Sequence, residues 1–462
     1  MESSKLSLSV IHELSSIVGS EHVLISDEDR LSYAYDSQRI EFVPDAIVRP
    51  IETDEIVRIL KLANEEPFAV VPRGGGTGLS GGCVAIRGGV VLDLSRMNRL
   101  LDIDLGNLHA VCEPGVITAD LAAAVEKEGL LYPPDPGSVK VSTIGGNVAE
   151  NAGGLRAIKY GVTRNYLMQI RAVAPTGEVF VSGARTRKCV TGYDLVSLMC
   201  GSEGTLGVIT EITVRLVPYP KVRRALVAVF DSASSAGLAV SDIMAAGLTP
   251  ATLEIMDQYT IRVVEEYAHP GLPTDAGALL LVEFDGFSES AVEDEFGVAR
   301  SVLSRNNARD IKEACNDEER ERIWEARRVA LAALARVRPT IILEDVTVPL
   351  PKLSTMIDRI AQIAQENSLI IGTFGHAGDG NLHPTILTDE RNTEEMARVE
   401  KAINELFEAA LELGGTLSGE HGIGFAKAPF LRRELGDGTI EIMRRIKSSI
   451  DPNNIMNPGK FL

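Results

Sequence analysis

Pro72-Arg73-Gly74-Gly75-Gly76-Thr77-Gly78-Leu79-Ser80-Gly81-Gly82 is the stretch on which the fold turns, and six of its eleven residues are glycine. Gly76, Gly78 and Gly81 match G-x-G-x-x-G, and a strand-like run, FAVVPR, leads into them. A dinucleotide-binding Rossmann unit needs a helix to start at this loop, so that its N-terminus meets the pyrophosphate. Here the chain continues as GGCVAIRGGVVLDL, a turn and another strand, which rules that fold out. The segment reads instead as a loop of exposed N–H groups. Without Cβ atoms the backbone can wrap closely around a diphosphate, and a nest of amides stabilises its charge. An isolated glycine-rich turn is more often a plain hairpin; the glycine density argues for the phosphate.

Working outward, a second cluster runs from Pro133-Pro134-Asp135-Pro136-Gly137 to Ser142-Thr143-Ile144-Gly145-Gly146-Asn147 and Asn151-Ala152-Gly153-Gly154, and a third is Gly201-Ser-Glu203-Gly204-Thr-Leu-Gly207. Short apolar strands separate them. The spacing of Ile56, Ile59, Leu60 and Ala63 predicts an amphipathic helix over residues 53–63, and a second is expected over 117–128. From about Arg223 strands alternate with longer helices, an α+β or α/β texture. Helices are expected over 353–366 and about 394–413, the latter stopped by Gly414-Gly415. The texture change and the Pro218/Pro220 pair divide the chain into residues 1–220, 221–415 and a C-terminal segment, 416–462.

The chain has 462 residues, beyond the roughly 250–300 at which one core stops growing, so at least two domains are expected. With 45% hydrophobic and 24% charged residues it is neither disordered nor collagen-like. Its net charge of -19 argues against nucleic acid, whose backbone needs clustered Lys and Arg. Five cysteines without a C-x-x-C pair suit a reducing compartment and exclude an iron–sulfur cluster held by this chain alone. No apolar run approaches the roughly 20 residues of a membrane span. The start, MESSKLSLSVIHEL, lacks a basic n-region. A cytoplasmic protein is expected.

Three of the seven histidines fall in two glycine-flanked motifs, His376 and His383 in GHAGDGNLHP and His421, after Glu420, in SGEHGIG. Two imidazoles and a carboxylate make a three-ligand set for Zn²⁺, Mn²⁺ or Fe²⁺ with positions open to substrate oxygens. H-x6-H is no dedicated metal motif, so turn histidines with satisfied hydrogen bonds are the alternative. Arg327, in IWEARR, reads by itself as a solvated helix face, and Lys460 as a tail lysine.

The three glycine clusters and the two histidine motifs together resemble the vanillyl-alcohol oxidase (PCMH-type) superfamily. The resemblance is to the branch holding the D-lactate dehydrogenases, D-2-hydroxyglutarate dehydrogenase and the D subunit of glycolate oxidase, and it covers nearly the whole chain. It implies an α+β fold, a PCMH-type FAD domain with a substrate cap, whose C-terminal segment returns to the FAD domain. It implies that Arg73, Gly74, Gly75, Gly76, Thr77, Gly78 and Gly81 hold the FAD pyrophosphate. Ser142, Gly145, Gly146, Asn147 and Gly153 would approach the isoalloxazine and ribityl chain, with Pro134, Asp135 and Asn151 beside them. Glu203, Gly204, Gly207 and Ile209 would line the adenine side, and Asn457 would reach the cofactor from the tail. Thr77 stands where covalently flavinylated relatives carry histidine, which implies noncovalent FAD.

By the same resemblance His376, His383 and Glu420 are the metal ligands, Asn381 lies near the flavin, His421 is the general base, and Arg327 clamps the substrate carboxylate. The expected reaction is oxidation of a small (R)-2-hydroxy acid, D-lactate or glycolate, by hydride transfer to flavin N5. The dicarboxylate relatives carry a threonine four residues after the clamp arginine and a lysine two residues before the next strand's aspartate. Leu331 and Leu343 occupy those positions here, unless Arg336 or Arg338 takes the lysine's part. The rivals are a same-fold enzyme with other chemistry, D-2-hydroxyglutarate oxidation, and a noncatalytic FAD-binding subunit. A soluble electron acceptor, either an electron-transferring flavoprotein or an iron–sulfur subunit, is the implied partner.

Overall fold

The helix expected over residues 53–63 runs Thr53–Glu65, and Ile56, Ile59, Leu60 and Ala63 on its inner face are fully buried. Each large aliphatic side chain so buried contributes about 1.5–3 kcal/mol. The computed structural model describes residues 6–37 and 41–461; residues 1–5 of the N-terminal stretch read for a leader lie outside them. The chain divides into two units, residues 1–153, 162–219 and 420–462, and residues 154–161 and 220–419. Among the described residues no helix is long and apolar enough to cross a membrane.

In the first unit, Thr53–Glu65 packs on a four-stranded sheet ordered Val23–Leu24, Ala46–Val48, Val90–Asp93, Val70–Arg73. The last three strands are parallel. The tail joins this sheet at Val70, whose N–H donates to Ile455 O at 2.8 Å and whose carbonyl accepts from Asn457 N at 2.9 Å. A five-stranded antiparallel sheet follows, ordered Leu100–Asp104, His109–Cys112, Val208–Arg215, Leu167–Val173, Val179–Gly183. The first and third glycine clusters lie in turns beside these strands, the second runs into the helix Ile144–Glu150, and the helix expected over 117–128 is Thr118–Glu126.

In the second unit the main sheet is antiparallel throughout, which resolves the α+β or α/β ambiguity in favour of α+β. Its order is Asp310–Glu313, Val222–Phe230, Ala278–Gly286, Thr252–Asp257, Ile370–Gly375, Asn381–Thr388, Thr340–Leu343. Helices Leu353–Glu366 and Thr393–Glu412 form where expected, and Gly414 ends the second region with a φ of +80°. Residues 154–161 go with this unit, whereas the sequence reading grouped them with the flavin domain. Ion pairing and hydrogen bonding tie the segment there. Asp285 is buried in the strand Ala278–Gly286, and Lys159 Nζ at 2.5 Å and Tyr160 OH at 2.8 Å supply its partners.

Candidate active site

Several glycines of the first unit sit where nothing larger fits. A Cβ on Gly74 would lie 2.2 Å from Thr143 Oγ1 and one on Gly75 2.4 Å from Val141 O, so the first and second clusters pack backbone to backbone. Gly76, at φ +67°, passes over the Arg73 guanidinium. Arg73 is buried beneath its own loop, donating from Nη2 to Tyr35 O at 2.8 Å and lying 5.4 Å from the Tyr33 ring. Thr77 and Gly78 are half-buried, and Gly81 N donates to Asp36 Oδ2 at 2.8 Å.

The second cluster is held by side chains. Thr143 caps the helix Ile144–Glu150 by accepting from Gly146 N at 3.1 Å. Asn147 Nδ2 donates to Thr118 Oγ1 at 2.8 Å, and that hydroxyl lies 2.9 Å from Ser142 Oγ. Gly145 abuts Pro114, Asn151 accepts from Arg164 N at 2.9 Å, and a Cβ on Gly153 would meet Glu420 Oε2 at 2.9 Å. Pro134 is buried and Asp135 half-buried. In the third cluster Glu203 and Gly204 have φ of 50° and +69°, Gly207 lies against Val173 O, and Ile209 pairs with Ala172. Asn457 Nδ2 donates to Gly82 O at 2.7 Å and to Glu203 O at 2.6 Å, which ties the tail to the first and third clusters together. The convergence of amide-rich, Cβ-free backbone fits a diphosphate-bearing cofactor.

Among the charged residues here, Glu150 was not singled out in the sequence and Lys460 was undervalued. The Glu203 carboxylate accepts from Ile423 N at 2.8 Å and Gly424 N at 2.7 Å. Burial, then the Glu203 and Asp36 carboxylates, push neighbouring Glu150 well above the usual carboxylate range. Lys460, which reads by itself as a tail lysine in a segment that the resemblance returns to the FAD domain, is 2% exposed and donates to Gly81 O at 2.5 Å and Val84 O at 2.6 Å. Burial pulls it down to about 8. Lys460→Met should destabilise the protein by about 2–4 kcal/mol, because two bonds from a charged donor disappear while the stem stays packed. With the folded value below the unfolded one, the unfolded chain binds more protons between about pH 8 and pH 10, so the lysine's contribution rises across that window. Denaturant melts of both proteins should therefore show a larger difference at high pH than at neutral pH; a smaller one would contradict the assignment.

In the second unit, His376 ends the strand Ile370–Gly375 and His383 lies in Asn381–Thr388. Antiparallel pairing of these strands brings the two rings to 5.1 Å, edge to face, at 7% and 3% exposure. His376 Nδ1 lies 2.7 Å from Glu254 Oε1. Arg327, near the end of the helix Asp317–Arg328, is buried and not solvated; its Nε donates to Glu254 Oε2 at 2.7 Å, and its guanidinium stacks 4.6 Å from the Phe374 ring. Asn381 Nδ2 donates to Asp345 Oδ1 at 2.6 Å, and Asp345 Oδ2 accepts from Ser418 Oγ at 2.6 Å and Gly419 N at 2.9 Å. Glu254 and Asp345 were not singled out in the sequence. The available signal was a carboxylate in an apolar run, Glu254 alone in TLEIM and Asp345 beside Glu344 in IILEDV, which costs several kcal/mol unless cations or donors surround it. Glu420 and His421 belong to the first unit, with His421 Nε2 at 3.9 Å from Glu420 Oε1.

Two paired and buried imidazoles, one with its Nδ1 committed to a carboxylate, fit a divalent metal, because that pairing leaves Nε2 for the ion. Comparison with known proteins agrees with the flavin reading. Residues 44–183 match the family described as FAD binding domain, and residues 219–461 that described as FAD linked oxidases, C-terminal domain. Glycolate oxidase subunit GlcD of Bacillus subtilis is 49% identical, over 98% of this chain and 96% of that protein. D-lactate dehydrogenase of Anaerostipes hadrus is 38% identical, over 96% and 95%. The crystal structure of p-cresol methylhydroxylase superposes with a TM-score of 0.80 at 17% identity, covering 98% of this chain and 96% of that one, a likeness of fold. The protein is an FAD-binding oxidoreductase, a member of the FAD-linked oxidases with a PCMH-type fold.

Proposed function

We propose that this flavoprotein oxidises a small monocarboxylic 2-hydroxy acid, D-lactate or glycolate, to the 2-oxo acid, with a divalent metal held by His376, His383 and Glu420. The observation that carries the reading is the buried Arg327 beside the His376/His383 pair in one unit. A guanidinium matches a carboxylate by two parallel hydrogen bonds, and the imidazole pair fits an ion that would hold a neighbouring hydroxyl. Glu420 directly follows Gly419, whose N–H is anchored on Asp345, so the chain delivers it one residue on from that anchor. The names of the relatives, a glycolate oxidase subunit and a D-lactate dehydrogenase, support the substrate class.

In this mechanism Arg327 fixes the carboxylate, Asn381 is aligned by Asp345, and His421 takes the hydroxyl proton as general base. The chemistry supplied by the bound cofactors is hydride acceptance by the flavin and polarisation of substrate oxygens by Zn²⁺, Mn²⁺ or Fe²⁺. Anaerobic mixing with D-lactate or glycolate should bleach the flavin, and L-lactate should not. A protein whose flavin stays oxidised with every 2-hydroxy acid would exclude the reading. Reoxidation passes to a soluble acceptor protein, a flavoprotein or an iron–sulfur subunit, consistent with relatives named as subunits.

The FAD is noncovalent, because Thr77 cannot form a histidyl link to the isoalloxazine. Acid precipitation should release the yellow colour into the supernatant; colour retained by the washed pellet would refute this.

A further inference from the structure

We propose that Glu254 is a positioning residue that sets two functional groups at once, the tautomer of His376 and the direction of Arg327. The proposal rests on the reading of His376 as a metal ligand and Arg327 as the carboxylate clamp. Glu254 lies in the strand Thr252–Asp257 and is fully buried. Its two oxygens are divided between two partners at the same distance, Oε1 to His376 Nδ1 and Oε2 to Arg327 Nε, each 2.7 Å. An ionised carboxylate only accepts. The proton of a neutral His376 therefore sits on Nδ1, and the lone pair of Nε2 is left for an ion.

On the other side, Nε is the one guanidinium nitrogen of Arg327 bonded to a described residue, so Nη1 and Nη2 remain for a bound carboxylate. Stacking on Phe374 fixes the plane of that fork. One side chain thus orients the ligand for the metal and the clamp for the substrate. Packing alone does not ask for a charge here: Leu253 and Ile255, its neighbours in the strand, are buried apolar residues.

Glu254→Gln separates this role from a space-filling one, since glutamine keeps the volume and offers one acceptor and one amide. If its oxygen serves Arg327, its amide faces His376 Nδ1 and drives the proton to Nε2, which blocks the metal. If its oxygen serves His376, Arg327 loses its anchor. In the flavin-loaded protein, chelator competition should find Mn²⁺ or Zn²⁺ bound about 10–100-fold more weakly in the variant. Titration with oxalate, followed by flavin absorbance, should show weaker binding by a similar factor. Both constants within twofold of wild type would overturn the proposal. Because the variant could fail to fold, a second measurement uses the wild type: ¹⁵N-histidine NMR of chelator-treated protein, with His376 assigned by its loss in His376→Asn. The Nδ1–H tautomer is expected, and Nε2–H would overturn the role of Glu254. A wild type that binds no metal would sink the functional reading, and the tautomer would still decide this one.

Discussion

His383→Ala should lower kcat/KM for the preferred 2-hydroxy acid by about a thousandfold or more, with loss of the metal and retention of FAD. A Lewis acid at the substrate hydroxyl is worth several kcal/mol of transition-state stabilisation, and each 1.4 kcal/mol is about a decade in rate. His383 stands in the strand Asn381–Thr388, facing His376 at 5.1 Å and Phe374 at 5.5 Å, so its removal strips one ligand and leaves a small cavity. His383→Gln refills most of that volume and should be equally inactive, which separates ligation from packing. Chelation of the wild type should give the same loss, reversed by the added ion. Because the glycine clusters and the tail proposed to hold the flavin belong to the other unit, the flavin spectrum should persist through both treatments. Full metal content together with wild-type turnover in His383→Ala would remove His383 from the ligand set.

D-2-hydroxyglutarate should be turned over with a kcat/KM about a hundredfold to a thousandfold below that of D-lactate or glycolate. Its second carboxylate needs a partner. The positions that resemblance to dicarboxylate enzymes would assign to that task are Leu331, half-buried, and Leu343, 7% exposed. Burial of an unpaired carboxylate costs several kcal/mol, which by transition-state arithmetic is two to three decades, at about 1.4 kcal/mol each. The two arginines that could have replaced the missing lysine are engaged elsewhere. Arg338 donates from Nη2 to both Glu395 oxygens, at 2.9 and 3.2 Å, and Arg336 lies over the Tyr267 ring at 5.2 Å. Steady-state kinetics with the three acids decide the question. A preference for the dicarboxylate would mean that Arg338 leaves Glu395, and Arg338→Ala would then abolish that preference.

The glycine clusters proposed to cradle the flavin stand out in the order of residues because glycine density is a local property. Where backbones approach as closely as Gly75 to Val141 O no side chain fits, and turns through positive φ as at Gly76 and Gly204 favour glycine, so such loops show in the sequence. The amphipathic helices were legible for the same reason: the 3.6-residue period of Thr53–Glu65 and Leu353–Glu366 is written in consecutive residues. The histidine motifs announced themselves by composition. What the chain order could not announce were partners distant along it. Glu254 is 73 residues from Arg327 and 122 from His376; the antiparallel ladder from Thr252–Asp257 to Ile370–Gly375 brings His376 to its carboxylate, and the helix Asp317–Arg328 brings Arg327. Arg327 therefore looked like a solvated helix charge and Lys460 like a tail residue, since burial and pairing are set by which strands meet. The same holds for residues 154–161, which group with the second unit, where Lys159 and Tyr160 meet the buried Asp285. Local period and glycine chemistry thus come from the sequence alone; the pairing of buried charges comes from the tertiary fold, because a carboxylate taken out of water takes whichever cation the sheet topology sets beside it.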